Sequence, residues 1–445
     1  MPGHPKKAWV WGAYPHTATL IAALLLAGCV SEDQTSRFGA GEGLAPNEIA
    51  APNSFAQQGA AQSDLIEGLR TRQSVLPGTG PFASVADAVI AASAGAAVAE
   101  LRVARLKAQA QSRNWLPSIG PTVDLTSLGA AVASMLLEQT IFDNGRNKAE
   151  RAFAAADVEV AAVTLAQDMN DRVYTGLAHY IEAERAREQA ALSEAAVARL
   201  AEFDRIVGIR VEGGVSDRTE AQVIRQKLIE MQSTRSSDQA ALNAAIANLN
   251  AMTDGPMDGL RGLQAVGSDT GAEPLTVLME RGVGARSIAE ANMARAGLLP
   301  GVSARAVVDE SGGIATGARL GTTGLISAGL GSNLQALGAA EEVADRRIAE
   351  AADTANRAII TSESEIAMLQ TRERDGGELV RQTGENLELF TAQYEVGRRS
   401  LLELVSQYDS FARLERDHAA LKYEIALRQL QIARARGQLV DGTRL

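Results

Sequence analysis

The stretch Tyr394–Glu403 reads YEVGRRSLLE and separates two long runs of helix-forming sequence. A related stretch, Arg210–Glu220, reads RVEGGVSDRTE. In each stretch a glycine precedes the final glutamate by six residues, and the corresponding positions are 183 residues apart (397 − 214 and 403 − 220). A glycine between helical runs is typical of a turn at a helix end. Two such turns at a fixed interval predict two hairpin tips in a duplicated architecture.

A two-residue hydrophobic period predicts a β-hairpin in each half of the chain. The first hairpin covers 117–142 and ends in Asp-Asn-Gly. The second covers 301–331, with a double-glycine turn and a last strand over about 318–330. Pro117 and Pro300, which precede the two hairpins, are again 183 residues apart (300 − 117).

The helical runs are longer than a compact domain can hold. From Arg146 to about Val207 there is no proline, and about 60 residues at 1.5 Å each give a rod of roughly 90 Å. The helix after the second tip carries a seven-residue ladder from Leu404 to Ile432, which indicates supercoiling against a partner helix. The other predicted helices cover about 85–113, with Ser84 as the N-cap, and about 217–252, 275–296 and 334–389.

Composition favours packed helices and excludes several function classes. The chain has 445 residues, a net charge of −11 and a pI of about 5.1, so it lacks the basic surface of a nucleic-acid-binding protein. Aromatic residues make up only 4%, whereas large enzyme cores usually bury many aromatic side chains. The four histidines are scattered, and a single cysteine forms neither a disulfide nor a metal cluster. We therefore predict no metal, no cofactor and no enzyme.

The N-terminus has the pattern of a secretory signal that ends in a lipidation site. Lys6 and Lys7 form a positive n-region, residues 17–26 form an apolar h-region, and Leu-Ala-Gly precedes Cys29. We interpret this as a bacterial lipobox; the alternative is an ordinary signal peptide with a chance cysteine. By resemblance to bacterial lipoproteins, Val30 after the lipidated cysteine points to the outer membrane.

No other apolar run reaches the roughly 20 residues that a membrane-spanning helix needs. If the protein crosses a membrane, it does so through its four predicted strands. Four strands cannot close around water, and exposed strand edges are not tolerated in a bilayer. The strands must therefore close by oligomerising, and a trimer gives twelve.

At this point the sequence resembles the TolC family of outer-membrane channels over most of the mature chain. The matching motifs are Trp115-Leu116-Pro117 before the first strand, Ile141–Gly145 at the start of the long helix, Arg210–Glu220 and Tyr394–Glu403 at the tips, Lys422-Tyr423, and Gly437–Leu439. Their order and spacing make the resemblance specific. In the second half the Phe-Asp-x-Gly signature is missing, and Gly331–Leu334 stands in its place.

The resemblance implies a mainly α fold with a small β portion. Long antiparallel helical hairpins form an α-barrel, continuous with a trimeric, twelve-stranded outer-membrane β-barrel with four strands per protomer. The homotrimer is then the exit duct of a tripartite efflux pump or of a type I secretion system. Its partners are outer-membrane lipid, a periplasmic adaptor and an inner-membrane pump of the RND or ABC class. The alternative is a lipid-anchored periplasmic coiled-coil adaptor or tether with no pore, which leaves the alternating segments unexplained.

The predicted organisation follows this internal two-fold repeat. The segments are a signal peptide (1–28), a lipid-anchored extended segment (29–83), the first repeat (84–255, tip 208–217), an equatorial loop (256–274), the second repeat (275–437, tip 394–400) and a tail (438–445).

The resemblance also assigns a periplasmic gate to the tips. Tyr394 and Arg399 match residues that latch the closed end, and Thr219 and Glu220 match their partners on the neighbouring hairpin. A hydroxyl or guanidinium bonded to a carboxylate, repeated threefold, gives contacts that adaptor binding can outweigh. The alternative is that these are the polar residues found wherever helices turn.

A carboxylate near the second tip matches a ring of acids just inside the pore entrance. Glu403 occupies that position, and three such carboxylates would favour cations. The family often has a second acid one turn further on, where this chain has Ser406, so the ring should carry less charge. Asp409 lies about 240° further round the helix and is expected to face elsewhere.

The outermost tip residues match the positions where the family contacts its adaptor. These are Gly214, Val215 and Gly397. The alternative reading is structural, because any helix end favours glycine in a left-handed cap.

Overall fold

We describe the protein from a computed structural model. It describes residues 63–93, 95–125, 131–267, 271–309, 311–322 and 330–444, which all belong to one structural unit. The predicted signal peptide and Cys29 lie outside the described residues, so the lipid anchor stays a prediction.

Helices form most of this part of the chain. They are α1 (Asp64–Arg70), α2 (Pro81–Ala91), α3 (Ala96–Gln111), α4 (Arg146–Glu212), α5 (Arg218–Asn250), α6 (Leu275–Gly297), α7 (Leu330–Gly338), α8 (Ala340–Glu395) and α9 (Leu401–Ala435), followed by a 3-10 turn at Gly442–Arg444. With 67 residues, α4 is roughly 100 Å long.

Four strands form one antiparallel sheet in the order β1-β2-β3-β4. They are β1 (Ser118–Leu125), β2 (Ala131–Phe142), β3 (Gly301–Asp309) and β4 (Ile314–Gly321). The central pairing joins the two halves of the chain, since β2 runs beside β3 with Glu138 opposite Arg305.

The two faces of the sheet differ in polarity, because successive side chains of a strand point to opposite faces. One face carries exposed apolar side chains, 42–73% accessible: Ile119, Val123, Met135, Leu137, Ile314 and Leu320. The other face carries Thr122, Ser134, Glu138, Ser303, Arg305 and Arg319. The predicted alternation is therefore confirmed in the described strands.

The sequence Asp143-Asn144-Gly145 converts β2 into α4. Asn144 and Gly145 adopt φ values of 54° and 85°. The Asp143 carboxylate accepts hydrogen bonds from the N–H groups of Gly145 (3.0 Å) and Asn147 (2.7 Å), which have no partner within the helix. The Asn144 amide donates to the Pro300 carbonyl (2.9 Å) and so ties the start of α4 to the start of β3.

The middle of α4 holds the loop after α5 and the C-terminal tail. Tyr180, 2% exposed, donates to the Gly262 carbonyl (2.8 Å), and burial raises the pKa of its hydroxyl to about 12. Glu184 accepts from the Gly262 N–H (2.7 Å). Buried Asn170 accepts from the Leu439 N–H (2.8 Å). These buried polar groups place both segments against one face of the helix.

Two members of the predicted seven-residue ladder on α9, Phe411 and His418, pack against glycines of α8. Cβ atoms added to Gly376 and Gly377 would lie 3.1 and 3.2 Å from the His418 ring, and one added to Gly384 would lie 3.3 Å from the Phe411 ring. The His418 Nε2 also lies 2.8 Å from the carbonyl oxygen of Glu373. The absence of side chains on α8 thus makes room for the two rings.

The structure corrects two predicted elements before the first strand. The predicted helix 85–113 is two helices, because Gly95 adopts a left-handed conformation (φ 66°) between α2 and α3. The first of them begins at Pro81, with Gly80 rather than Ser84 as the N-cap. The segment predicted as extended contains α1, whose first turn is capped by the Ser63 hydroxyl.

Two elements of the second half also differ from the prediction. The last strand is predicted over 318–330, whereas the described strand is Ile314–Gly321, because the short turn after Asp309 places Ile314 opposite Val308. Residues 323–329 of the predicted strand lie outside the described residues. The predicted helix 334–389 starts at Leu330, is interrupted at Ala339 and continues to Glu395. The remaining predicted helix limits differ from those observed by a few residues at most.

Candidate functional site at the hairpin tips

The ends of both helical hairpins share one apolar cluster, which we call the tip core. Its buried members come from three helices: Leu200, Phe203 and Val207 (α4), Ile224 and Met231 (α5), and Leu401, Leu404 and Val405 (α9). Phe390 and Tyr394 of α8 pack against it while partly exposed. The two tips predicted from the sequence are therefore neighbours in one chain.

At the first tip, α4 ends on a left-handed glycine. Gly214 has φ 70°, its N–H donates to the Val211 carbonyl (3.0 Å), and the Val215 N–H donates to the Arg210 carbonyl (2.8 Å). This is the Schellman arrangement, which satisfies the last carbonyls of the helix. Asp217 is the N-cap of α5.

At the second tip, α8 ends in the same way. Gly397 has φ 73°, its N–H donates to the Tyr394 carbonyl (2.9 Å), and the Arg398 N–H donates to the Gln393 carbonyl (2.8 Å). The N-cap of α9 is Ser400.

A capping box starts α9. The Glu403 N–H donates to the Ser400 hydroxyl oxygen (3.2 Å), and the Glu403 carboxylate accepts from the Ser400 N–H (2.9 Å). Two free N–H groups of the first turn are thereby satisfied. The sequence analysis missed this motif, although Ser-x-x-Glu at 400–403 is its usual signature.

Arg399 lies at the centre of the second tip. Its guanidinium donates to the Glu403 carboxylate (3.0 Å) and to the Gln393 amide oxygen (3.0 Å), and it lies over the Phe390 ring at 4.6 Å. The pKa of Glu403 is below its usual value, because the Ser400 N–H, the Arg399 guanidinium and the Ser400 hydroxyl all stabilise the carboxylate. Glu403 is exposed and ionised at neutral pH.

Tyr394 links the two hairpins of one chain. The Arg210 guanidinium donates to its hydroxyl at 3.4 Å, a long hydrogen bond. The predicted partners Thr219 and Glu220 lie on the first turn of α5, and within the described chain neither forms a hydrogen bond or ion pair with Tyr394 or Arg399. The predicted latch joins neighbouring protomers, so it stays a prediction.

The predicted adaptor-contact residues are at the surface of the tips. A Cβ atom added to Gly214 or Gly397 would have no atom within 4 Å. Val215 is 70% exposed, and Val396, which the sequence analysis did not single out, is 68% exposed. An exposed valine next to each left-handed glycine gives both tips a small apolar surface.

Ion pairs connect the two hairpins further from the tips. They are Lys227–Asp409 (3.1 Å), Glu230–Arg413 (3.2 Å) and Asp238–Arg416. A groove of about 930 Å³ lies between α5 and α9 here, so these charges bridge helices that do not pack closely. Asp409 is 8% exposed and pairs with Lys227 of α5; its spacing from Glu403 predicts only that it faces elsewhere.

The sequence did not lead us to predict this ion-pair set. Asp238 is 4% exposed and accepts a hydrogen bond from the Ser193 hydroxyl (2.6 Å). A signal was present, because it continues a seven-residue series of buried residues on α5: Ile224, Met231, Asp238 and Ala245. An acid at an inward-facing position predicts a buried partner.

Solved structures share this arrangement of helices and strands. A membrane protein from Pseudomonas aeruginosa is similar with a TM-score of 0.72 and 14% identity, over 84% of this chain and 93% of that one. The Campylobacter jejuni CmeC outer membrane channel gives 0.68 and 13%, over 82% and 88%. The outer membrane protein VceC from Vibrio cholerae gives 0.65 and 15%, over 84% and 95%.

The chain has the fold of these three proteins, one of which is an outer membrane channel. The resemblance to the TolC family is thus confirmed as a likeness of fold, including the mainly helical architecture with one small antiparallel sheet. No family model and no curated protein matches the sequence.

The described helices and acidic groups show two further features. No single described helix is long and apolar enough to cross a membrane, although α2 and α3, bent by 59° at their junction, pass that test as a pair. No group of three or more His, Cys, Asp or Glu side chains in the described residues is placed to hold a metal ion.

Proposed function

We propose that three copies of this chain form an outer-membrane channel, the exit duct of a tripartite efflux pump or of a type I secretion system. The observation that carries the proposal is the sheet. Within the described chain, β1 and β4 each have one unpaired edge, and one sheet face exposes large apolar side chains. Both features are unfavourable in water.

A closed barrel in a bilayer removes both problems. The apolar face meets lipid, and β1 of one copy pairs with β4 of the next, so that every backbone group is bonded. Three four-stranded sheets give twelve strands, and the polar face then lines an aqueous lumen. The halves of each chain, with matching tips 183 residues apart, are proposed to be a structural repeat.

The helical hairpins extend the duct into the periplasm in this proposal. Their tips contact a periplasmic adaptor through Gly214, Val215 and Gly397, and the adaptor connects the duct to an inner-membrane pump of the RND or ABC class. Tyr394 and Arg399 of one protomer close the entrance against Thr219 and Glu220 of its neighbour. The channel conducts passively and carries out no reaction, and Cys29 anchors it to the outer membrane.

The alternative is a lipid-anchored periplasmic adaptor or tether with no pore. The exposed apolar face of the sheet argues against it, because a periplasmic tether would present Ile119, Val123, Ile314 and Leu320 to water.

The test uses the full mature chain, purified in detergent. We expect trimers in light scattering and discrete conductance steps in planar lipid bilayers. A stable monomer without conductance would overturn the channel and favour the tether.

A further inference from the structure

The polar face of the sheet carries an uneven charge near the ends of the strands that join the helices. Glu138 of β2, Arg305 of β3 and Arg319 of β4 share this face, because Glu138 is opposite Arg305 and Arg319 is opposite Ser303. Arg305 itself is opposite Gly317, so Arg319 lies two residues along the strands from the Glu138–Arg305 pair. Neighbouring strands are about 4.8 Å apart, and the three groups therefore form a short staggered row across the sheet.

Two members of this row neutralise each other. The Glu138 carboxylate accepts hydrogen bonds from the Arg305 guanidinium (3.2 Å) and the Ser303 hydroxyl (2.9 Å). The charge of Arg305 is therefore offset by Glu138, and the Glu138 carboxylate is already hydrogen-bonded by two donors.

The positive charge of Arg319 is not offset by an ion pair within the described residues. Its side chain is exposed, and it forms no hydrogen bond and no ion pair with any described residue. It interacts with the Glu138 carboxylate only through space, and that carboxylate is already bonded to Arg305. The other residues on the polar face of β4 are Ala315, Gly317 and Gly321, which are too small to cover a guanidinium. The row thus carries one uncompensated positive charge, on a side chain with room to move.

We propose that Arg319 is the anion-selecting residue of the strand-lined part of the duct, where it binds the anionic oxygen group of a permeating molecule. This rests on the proposed function, because only a closed trimer turns the polar face into a lumen. Three guanidinium groups then lie at one level, and rings of Arg or Lys favour anions. A guanidinium binds a carboxylate, sulfonate or phosphate through two parallel hydrogen bonds.

The proposed duct then has charged groups of opposite sign at its two ends, with unequal net charge. Glu403 at the proposed entrance is ionised, but the Arg399 guanidinium 3.0 Å away offsets its charge. Arg319 at the proposed barrel has no ion pair with a described residue, so we expect it to be the stronger selective group of the two.

The experiment measures the reversal potential of single channels in a KCl gradient. For Arg319→Ser we expect the potassium-to-chloride permeability ratio to rise by about twofold or more at low salt, and by less at high salt, because ions screen the charge. Arg319→Lys is the matched control: it keeps the charge, so its ratio should equal that of the wild type.

A second measurement separates a binding site from a diffuse charge. Inorganic tripolyphosphate should block the wild-type channel when it is added on the side of the bilayer opposite the helical hairpins. We expect the block to weaken about tenfold in Arg319→Ser, and to weaken less in Arg319→Lys, which keeps the charge without the planar fork.

The outcomes distinguish this assignment from the proposed function. If Arg319→Ser forms trimers that conduct with the wild-type reversal potential and the wild-type block, Arg319 is not the anion-selecting residue, while the channel stands. If the wild type forms no conducting trimers, the proposed function is overturned and this assignment with it.

Discussion

The two hairpin tips have the same backbone and different side-chain chemistry. Both end a helix on a left-handed glycine, with φ values of 70° and 73° and the same pair of hydrogen bonds. Both place a glutamate three residues after the N-cap of the next helix. Only Glu403 closes a capping box and binds an arginine; Glu220 has no hydrogen bond or ion pair in the described chain.

This difference indicates which tip has a carboxylate that is free to accept a hydrogen bond from a neighbouring protomer. A carboxylate that already holds three donors gains little from another, whereas an unpaired one can still gain a charge-assisted bond. Glu220 is thus the available acid, as the latch hypothesis requires. On the latch hypothesis Arg399 must share or leave Glu403 to reach Glu220, so the hypothesis predicts that the second tip is the side that moves.

The largest expected effect comes from the tip core that both tips share. Leu404→Ala and Ile224→Ala each remove a buried side chain, 1% and 0% exposed, and should each cost about 2–5 kcal/mol. Because the core is common, either change should speed hydrogen exchange at both 208–220 and 394–403. The exposed Val396→Ala is the control and should change neither region. Faster exchange at the mutated tip alone would show that the tips are independent.

The next effect tests the shared backbone. Gly214→Ala and Gly397→Ala force a side chain into the left-handed region, and each should destabilise its tip by about 1–2 kcal/mol. Crowding does not contribute, since a Cβ atom has open space at both positions. Gly208→Ala, with open space inside α4, is the matched control and should stabilise slightly. Thermal melting of the three variants measures this, and markedly unequal losses at the two tips would contradict a common geometry.

Local signals in the sequence predicted much of this fold. The positions of the tip glycines, the start of α4 at Arg146 and the limits of β1 and β2 follow from turn residues and hydrophobic period. The wrongly predicted elements are those whose limits are set by a tertiary contact or by a single glycine. Pairing with β3 fixes β4 in a glycine-rich segment with little period of its own. The break at Gly95 divides a run of alanine that favours helix on both sides.

In the candidate site, too, contacts between residues close in sequence could be predicted, and contacts between distant residues could not. The sequence places Tyr394, Arg399 and Glu403 at one tip because they are close along the chain. It does not predict that Arg210 reaches Tyr394, since that contact spans 184 residues and depends on how the hairpins pack. The same holds for the ion pairs between α5 and α9.

A smaller effect is expected from the latch. Tyr394→Phe combined with Arg399→Ser removes exposed polar contacts that are each worth under about 1 kcal/mol, yet they repeat threefold and act on one entrance. We expect a higher single-channel conductance. Arg398→Ser, an exposed neighbour, is the control and should conduct as the wild type does. An unchanged double variant would remove the latch assignment without affecting the fold.

The smallest effect concerns the acid at each tip as a selectivity element. Glu403→Ala should lower the cation-to-anion permeability ratio, but by less than about twofold, because the Arg399 charge 3.0 Å away offsets the carboxylate. Glu220→Ala, the equivalent change at the first tip, removes a partner of the proposed latch, so we expect it to raise the conductance and to leave the ratio unchanged. An unaltered ratio in Glu403→Ala would rule out the pore-ring role.

Acid pH sharpens this last test. The pKa of Glu403 is lowered from 4.5, so the carboxylate keeps its charge and its stabilising bonds above pH 4.5 and loses both as the pH falls through the lowered value. The cation preference of the wild type should therefore persist below pH 4.5. In Arg399→Ser one of the stabilising donors is gone, so the preference should be larger at neutral pH and should disappear at a higher pH. If both proteins lose the preference at the same pH, the Arg399–Glu403 bond does not control the charge at the entrance, and the two tips differ in capping alone.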